Sequence, residues 1–410
     1  MGIFQAEPKL TEQLKILQVS LKPPYPKVDG GCVAIAAMTE SQLLAGHDVK
    51  VLTMETHKHP FHSQKVPAQI LDATRMEAVH VDTRIRPLDA FLNLFTSESY
   101  NIQRFYSKAF ETRLIEILKK NEFEIIHLES IFCTPYLKTI RTYSKAKIAV
   151  RAHNIEFRIW EQLARQEANP LKKWYLNLLA ARLKNYELDL LKKVDGIVAI
   201  TKDDADELQQ LGIHIPVDVV PIGMNVAELE AKSLQSASIH LYHLGAMDWL
   251  PNVEGINWFV NDIWPNITAN LPDIQCSLAG REMPASLLSR SFGNLTIVGE
   301  VSSISEFVSD KNVAIIPLLS GSGLRVKILE ALGYGKVVIT TSLGATGIPY
   351  ENGKNMLIAD SPDEFVKQIR ALKENPELIT SIGNEARKLA EREFDLKNLS
   401  SKLTYFYANM

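Results

Sequence analysis

The segment Pro317–Gly335, PLLSGSGLRVKILEALGYG, sets a glycine-containing loop between an apolar run and an amphipathic stretch. Read as a helix from about Gly323, it puts Gly323, Lys327 and Glu330 at i, i+4 and i+7 on one face. Leu324, Ile328 and Ala331 share another face, suited to packing on a sheet. Open amides, then an ammonium, then a carboxylate follow one another along the axis. A diphosphate joined to a ribose offers matching partners: an anion for Lys327 and the helix N-terminus, hydroxyls for Glu330. Arg325 lies roughly 200° round a regular helix from Lys327, so it shares the phosphate only if the loop is not yet helical there. The competing reading is an exposed Lys–Glu pair on a surface helix. The SGSG loop in front favours the anion site.

Two further segments sit where a strand hands over to a helix. Arg151–Glu156, RAHNIE, follows the run KIAV, at the kind of carboxyl end where parallel sheets place ligand-contacting groups. His153 is suited to hydrogen-bonding a sugar hydroxyl, and Glu156 to contacting an acceptor or orienting a loop. Alternatively, Asn154 caps the next helix and His153 satisfies backbone groups. Lys27–Gly31, KVDGG, precedes another helix, and Gly30 and Gly31 admit a close ligand and expose amides. The other reading is a plain strand-to-helix turn. No third glycine follows, so the G-x-G-x-x-G dinucleotide pattern is absent. Thr201–Asp206, TKDDAD, contains a D-x-D pair but reads better as a helix start, with Thr201 as N-cap and Asp204 at N3. The histidines of Thr56–His62 flank Pro60 without a regular scaffold and read as a flexible surface loop.

The elements that must hold these groups alternate in kind, twice over. In the first half, strands are expected at 14–20, 48–53, 125–128, 147–152, 196–200 and 217–220, with helices at 32–46, within 102–120, across 155–193 with a break near Pro170, and at 203–211. In the second half, strands are expected at 240–244, 275–279, 295–298, 313–316 and 337–340. Helical patterns there cover 252–269, 305–309, 324–333, 362–374, 376–394 and 396–408. Short apolar strands alternating with longer helices mean parallel βαβ units. The alternation lapses at Pro221–Ser238, which divides an α/β chain into residues 1–222 and 223–394, with 395–410 returning to the first domain. Two doubly wound domains facing a central cleft would place the ligand site there.

Composition narrows the classes. The 410 residues carry 45 Lys+Arg against 48 Asp+Glu, a net charge of −3, which gives no field for nucleic acid. Cys32, Cys133 and Cys276 are widely spaced, so neither a disulfide framework nor a metal site is expected. The first residues carry Glu7 and Glu12 with no apolar stretch, and no apolar run approaches the ~18–20 residues of a bilayer span. A cytoplasmic protein is expected. The basic pairs Lys172–Lys173, Arg182–Lys184 and Lys192–Lys193 lie among apolar residues. They read as a solvated helix face, or as a peripheral approach to an anionic inner membrane surface.

In their order, six segments resemble the GT4 family of glycosyltransferases, which has the GT-B architecture of two Rossmann-like domains. They are VDGG, RAHNIEFRIW, VDGIVAITKDDADEL, VVPIGMN, HLGAMDWLPNVEGINWF, and GSGLRVKILEALGYGKVVITTSLGATGIPYENGKNMLIAD. The resemblance covers nearly the whole chain. It implies metal-independent transfer of a sugar, with retention, from a UDP- or GDP-linked donor to a glycan, lipid-linked or other acceptor, and no cofactor. The nucleotide would sit on the C-terminal domain and the acceptor on the N-terminal one. Carried over by position, Gly31 and Gly30 line the catalytic loop, His153 contacts the donor sugar, and Glu330, second glutamate of an E-x7-E motif, binds ribose. Asn154, Glu156, Gly323, Gly245 and Asn252 are counted with the substrate-binding residues, and Arg325 and Lys327 with the catalytic ones.

Two departures mark a sub-branch. The first glutamate of E-x7-E falls on Ser322, also counted as substrate-binding, and the Arg and Lys expected after the first C-terminal strand are replaced by GAMDWLPN. Phosphate neutralisation then falls to Arg325 and Lys327. The alternative is a two-domain sugar- or nucleotide-binding protein on a glycosyltransferase-like scaffold without transferase activity. A dinucleotide oxidoreductase is disfavoured by the missing glycine fingerprint.

Overall fold

The computed structural model describes residues 13–230, 238–289, 293–321 and 323–410. Its chain forms two compact units, one of Met1–Gly223 with Leu396–Met410, the other of Met224–Asp395. The first is built on strands β1 (Lys15–Ser20), β2 (Asp48–Glu55), β3 (Glu77–His80), β4 (Ile125–Leu128), β5 (Lys147–Ala152), β6 (Gly196–Ala199) and β7 (Val217–Val219). They lie in the order β3-β2-β1-β4-β5-β6-β7, and every pairing is parallel. The second unit carries β8 (His240–Leu244), β9 (Gln275–Ala279), β10 (Leu295–Gly299), β11 (Val313–Ile316), β12 (Val337–Thr340) and β13 (Leu357–Ile358). Its order is β10-β9-β8-β11-β12-β13, again all parallel.

Both orders are those of doubly wound sheets, in which the first strand of each unit lies centrally and the winding reverses beside it. The central strands IIHL, VAII and VVIT are buried along their whole length, as strands covered by helices on both faces must be. The crevice between the carboxyl ends of the two strands at each reversal is where such folds hold ligands. In the first unit those ends are Ser20 and Leu128; in the second they are Leu244 and Ile316.

The two strands not foreseen, β3 and β13, are edges of four and two residues. Helix 252–269 was expected to be continuous. It runs instead as Leu250–Trp258, a π-turn Phe259–Ile263 and Trp264–Asn270, because Pro265 cannot donate into the ladder. The helical stretch 155–193 divides into Glu156–Gln166 and Pro170–Leu191. The last helix, Leu396–Asn409, buries Leu399, Leu403, Phe406 and Tyr407 against Ile16, Ile125, Ala149 and Val198 of the first sheet. Among the described residues no helix is long and apolar enough to cross a membrane.

Candidate functional site

The second unit gathers its polar groups at the end of β8. Gly245 follows that strand, and a Cβ there would lie 2.6 Å from Lys327 Nζ, 2.8 Å from His243 Nε2 and 3.0 Å from Asn252 Nδ2. Any side chain would fill the space into which these three groups point, so the close approach requires glycine. Asn252 Nδ2 donates to Ala246 O at 2.7 Å, and its Oδ1 receives Lys327 Nζ. His243 Nδ1 donates to Ile315 O at 2.8 Å, which leaves Nε2 as an acceptor on the Lys327 side. Burial, and the Lys327 charge, push the His243 pKa down to about 3, so the ring is neutral.

The helix after β11 starts later than its sequence periodicity suggests. It spans Val326–Gly333, and Arg325 at its N-cap is extended, with φ −90 and ψ 92. Gly323 is therefore in the loop, at φ +77, and is not on a helical face with Lys327. This corrects the expectation of a shared i, i+4 face, and the loop supplies its physical reason: the extended Arg325 swings its side chain to Lys327's side. The Arg325 and Lys327 cations lie 5.9 and 5.7 Å from the Trp249 ring centre. Arg325 also donates to Gly323 O. Burial pushes Arg325 down to about 10; burial, with the Arg325 charge, takes Lys327 to about 7 against the opposing pull of Glu330. Glu330 lines a recess with Tyr242, Leu244, Ala331 and Tyr334 directly beside Lys327. Ile328 and Ala331 are buried, as expected, but Leu324 lies in the loop before the helix and does not share a helical face with them. Ser322 lies outside the described residues.

The first unit forms a second cluster, at the ends of β1, β4 and β5. His153 Nε2 lies 3.2 Å from Glu129 Oε2, and Glu129, the residue after β4, is wholly buried. Burial pushes the Glu129 pKa up, but contacts with His127 and His153 and the charge of Arg151 bring it down to about 2. Lys22 adds its charge beside His153, whose pKa is lowered chiefly by burial. Neither Glu129 nor Lys22 was singled out from the sequence. Their only signal was position, each just past the carboxyl end of a strand at the sheet's reversal.

Gly30 and Gly31, expected in the loop before a helix at 32–46, are instead the first residues of the helix Gly30–Leu44, and its N-terminus is not an empty anion site. The Asp29 carboxylate accepts from Cys32 N at 2.8 Å and from Lys22 Nζ at 2.8 and 2.9 Å. A Cβ on Gly31 would lie 2.5 Å from that Lys22 Nζ, so the glycine makes room for the lysine. His59 was expected in a flexible surface loop. It turns inward and places Nε2 2.8 Å from Asp29 Oδ2. Asp29, Cys32 and His59 are thus near enough to hold a cation. The fit is poor: the Lys22 ammonium already neutralises Asp29, and burial pushes the Cys32 thiol up to about 11.

Asn154 does not cap the following helix. Its N-cap is Ile155, and Glu187 of Pro170–Leu191 takes the amides of Glu156 and Phe157 at 3.1 and 3.0 Å. Asn154 instead hydrogen-bonds Glu156, whose pKa burial raises to about 7. Thr201 does act as N-cap, accepting from Asp204 N at 3.1 Å, and Asp206 pairs with Lys202. The three cysteines are free and buried.

Comparison with known proteins agrees with this architecture. Residues 28–228 match the family model Glycosyltransferase Family 4, and residues 238–375 match Glycosyl transferases group 1. The chain is 23% identical over 398 residues, 95% of its own length and 98% of the relative's, to an uncharacterized 44.6 kDa protein in the cps region of Klebsiella pneumoniae. Among solved structures, sucrose-phosphate synthase from Thermosynechococcus elongatus superposes with a TM-score of 0.66 at 15% identity, over 96% of this chain and 98% of the other. Anabaena HepE in complex with UDP gives a TM-score of 0.66 at 10% identity, over 97% of this chain and 100% of the other. Both share the two Rossmann-like parallel-sheet domains of the GT-B fold.

Proposed function

This chain belongs to the GT-B glycosyltransferases of family 4, group 1, and on that premise we propose that it transfers a sugar, with retention, from a UDP- or GDP-linked donor. The observation that carries the reading is the pair Arg325 and Lys327 over Trp249, at the sheet reversal of the second unit. Two cations whose pKa values are both pushed down form a site that gains when a diphosphate arrives. Glu330 takes the ribose hydroxyls, and Gly245, Asn252 and Gly323 line the same ligand. His153, Gly31, Gly30, Asn154 and Glu156 serve the transferred sugar and the acceptor. UDP bound to HepE supports a nucleoside diphosphate as the leaving group. The cations at the diphosphate position support a reaction that needs no divalent metal.

A thermal-shift screen with UDP, GDP, ADP and CMP tests this. Stabilisation follows RT ln(1 + [L]/Kd), about 2.7 kcal/mol at a hundredfold excess over Kd. One nucleoside diphosphate is expected to raise Tm with concentration, unchanged in EDTA. Stabilisation that EDTA abolishes contradicts metal independence. Retention is read from the anomeric proton of the product.

The acceptor in this reading is a glycan or lipid-linked molecule of polysaccharide synthesis, a reading that the relative in the cps region supports. The protein then works in the cytoplasm, at the inner membrane face. Supporting this, the first unit exposes Leu88, Phe91, Leu92 and Phe95 on and just beyond the helix Pro87–Asn93, and Leu171 and Trp174 on Pro170–Leu191. Arg182 ties the two elements together by donating to Asn93 O and Leu94 O at 2.8 and 3.1 Å. Lys172 and Lys173 are exposed beside Leu171 and Trp174. An apolar patch with cations at its edge suits an anionic bilayer. Co-sedimentation with phosphatidylglycerol vesicles, and not with phosphatidylcholine alone, is expected. Phe91→Ser with Phe95→Ser is expected to weaken it at least tenfold, and equal sedimentation of wild type and variant excludes the patch.

A further inference from the structure

A row of buried polar groups stands behind His153. Gln42 Nε2 donates to Tyr407 Oη at 2.9 Å, and Tyr407 Oη lies 2.7 Å from His127 Nδ1. With its oxygen receiving Gln42, the Tyr407 hydroxyl spends its proton on His127 Nδ1. His127 therefore carries its own proton on Nε2, which stands 3.3 Å from Glu129 Oε1. The other oxygen, Oε2, faces His153 Nε2 at 3.2 Å. An ionised carboxylate only accepts, so His153, which hydrogen-bonds it, must present N–H to it, while His127 Nε2 stands close without the alignment of a hydrogen bond. Against burial, ionisation is secured by the His127 and His153 contacts and then by the charge of the buried Arg151, which also donates to Pro221 O at 3.3 Å. Gln42, His127 and Glu129 are each 0% exposed, so the row is sealed from water except at the partly exposed His153 end.

We infer that Glu129 is a positioning residue that locks His153 as the neutral Nε2–H tautomer, so that Nδ1 meets the substrate as a hydrogen-bond acceptor for a sugar hydroxyl. This rests on the reading that His153 serves the transferred sugar. The ring is kept neutral by burial and by the Lys22 and Arg151 charges, and Glu129 opposes them. A neutral imidazole fixed at Nε2 has no second N–H, so at Nδ1 it selects for a hydroxyl and against a bare oxyanion.

Nitrogen-15 NMR of histidine-labelled wild-type protein tests this directly, with His153→Gln used to assign the resonance. The expected spectrum has His153 protonated at Nε2 and bare at Nδ1 near neutral pH. A proton on Nδ1 overturns the inference. Glu129→Gln supplies the second reading. Turnover is expected to fall by about tenfold, the worth of one misdirected hydrogen bond, with nucleotide affinity unchanged. Because the Glu129 charge raises the His153 pKa, its loss moves the acid limb of the pH–rate profile to lower pH. A limb that stays in place in a folded Glu129→Gln protein also overturns it. His153→Ala with wild-type turnover removes His153 from the reaction instead, and leaves the NMR result to judge the tautomer.

Discussion

Replacing Lys327 by alanine is expected to lower turnover by about 10²–10³-fold, the cost of removing a preorganised stabiliser of developing charge. As the bond from sugar to diphosphate breaks, negative charge grows on the leaving phosphate. Lys327 is held for it beforehand by Asn252 and by the Trp249 ring. A lysine in an exposed helical pair would give a change of only about 0.2–0.5 kcal/mol in stability and none in rate. The pH dependence of binding gives a second check. In the free protein the Lys327 pKa is pushed down to about 7, by burial first and by Arg325 second. A bound diphosphate raises it, so binding takes up a proton. Affinity must then fall as pH rises above about 7, towards the bound-state value. Calorimetric titrations across that range are expected to show the fall in wild type and none in Lys327→Ala.

Glu330→Gln is expected to act on binding rather than on turnover. The variant keeps the shape of the recess beside Tyr242 and Tyr334 but replaces an ionised acceptor with a neutral one. Hydrogen bonds from ribose hydroxyls to a carboxylate are charge-assisted, so the loss is about 1.5–3 kcal/mol, or ~10–150-fold in nucleotide Kd. Turnover at saturation stays within a few-fold, because these contacts are the same in ground and transition states. Titration of the nucleoside diphosphate into the folded variant measures it. Unchanged affinity removes Glu330 from the ribose.

What the amino-acid sequence discloses here follows from what each feature depends on. The strands at 125–128, 313–316 and 337–340 are apolar throughout because a parallel sheet is covered on both faces, and they were found at those residues. EAVH at β3 is half-buried and polar at its end, a strand made by its pairing with β2 rather than by its own pattern. In the second unit Lys327 and Glu330 are legible from helical spacing. Arg325 joins them only because the loop delays the helix to Val326, a backbone detail that periodicity does not encode. In the first unit His153 stands out at a strand end, whereas Glu129, 24 residues earlier, becomes its partner only when β4 and β5 pair. The same holds for Lys22, Asp29 and His59, which an isolated histidine-rich segment presents as a loose loop. Local chemistry was readable; its partners came from topology.

The central claim is that Lys327 and Arg325 hold the diphosphate of a sugar donor. It is tested most directly by incubating the wild-type chain and Lys327→Ala with a panel of UDP- and GDP-sugars in EDTA and measuring release of the nucleoside diphosphate. The account predicts release from at least one donor by the wild type, lowered by about 10²–10³-fold in the variant. Equal release by both proteins, or release by the wild type only when a divalent metal is restored, would contradict it.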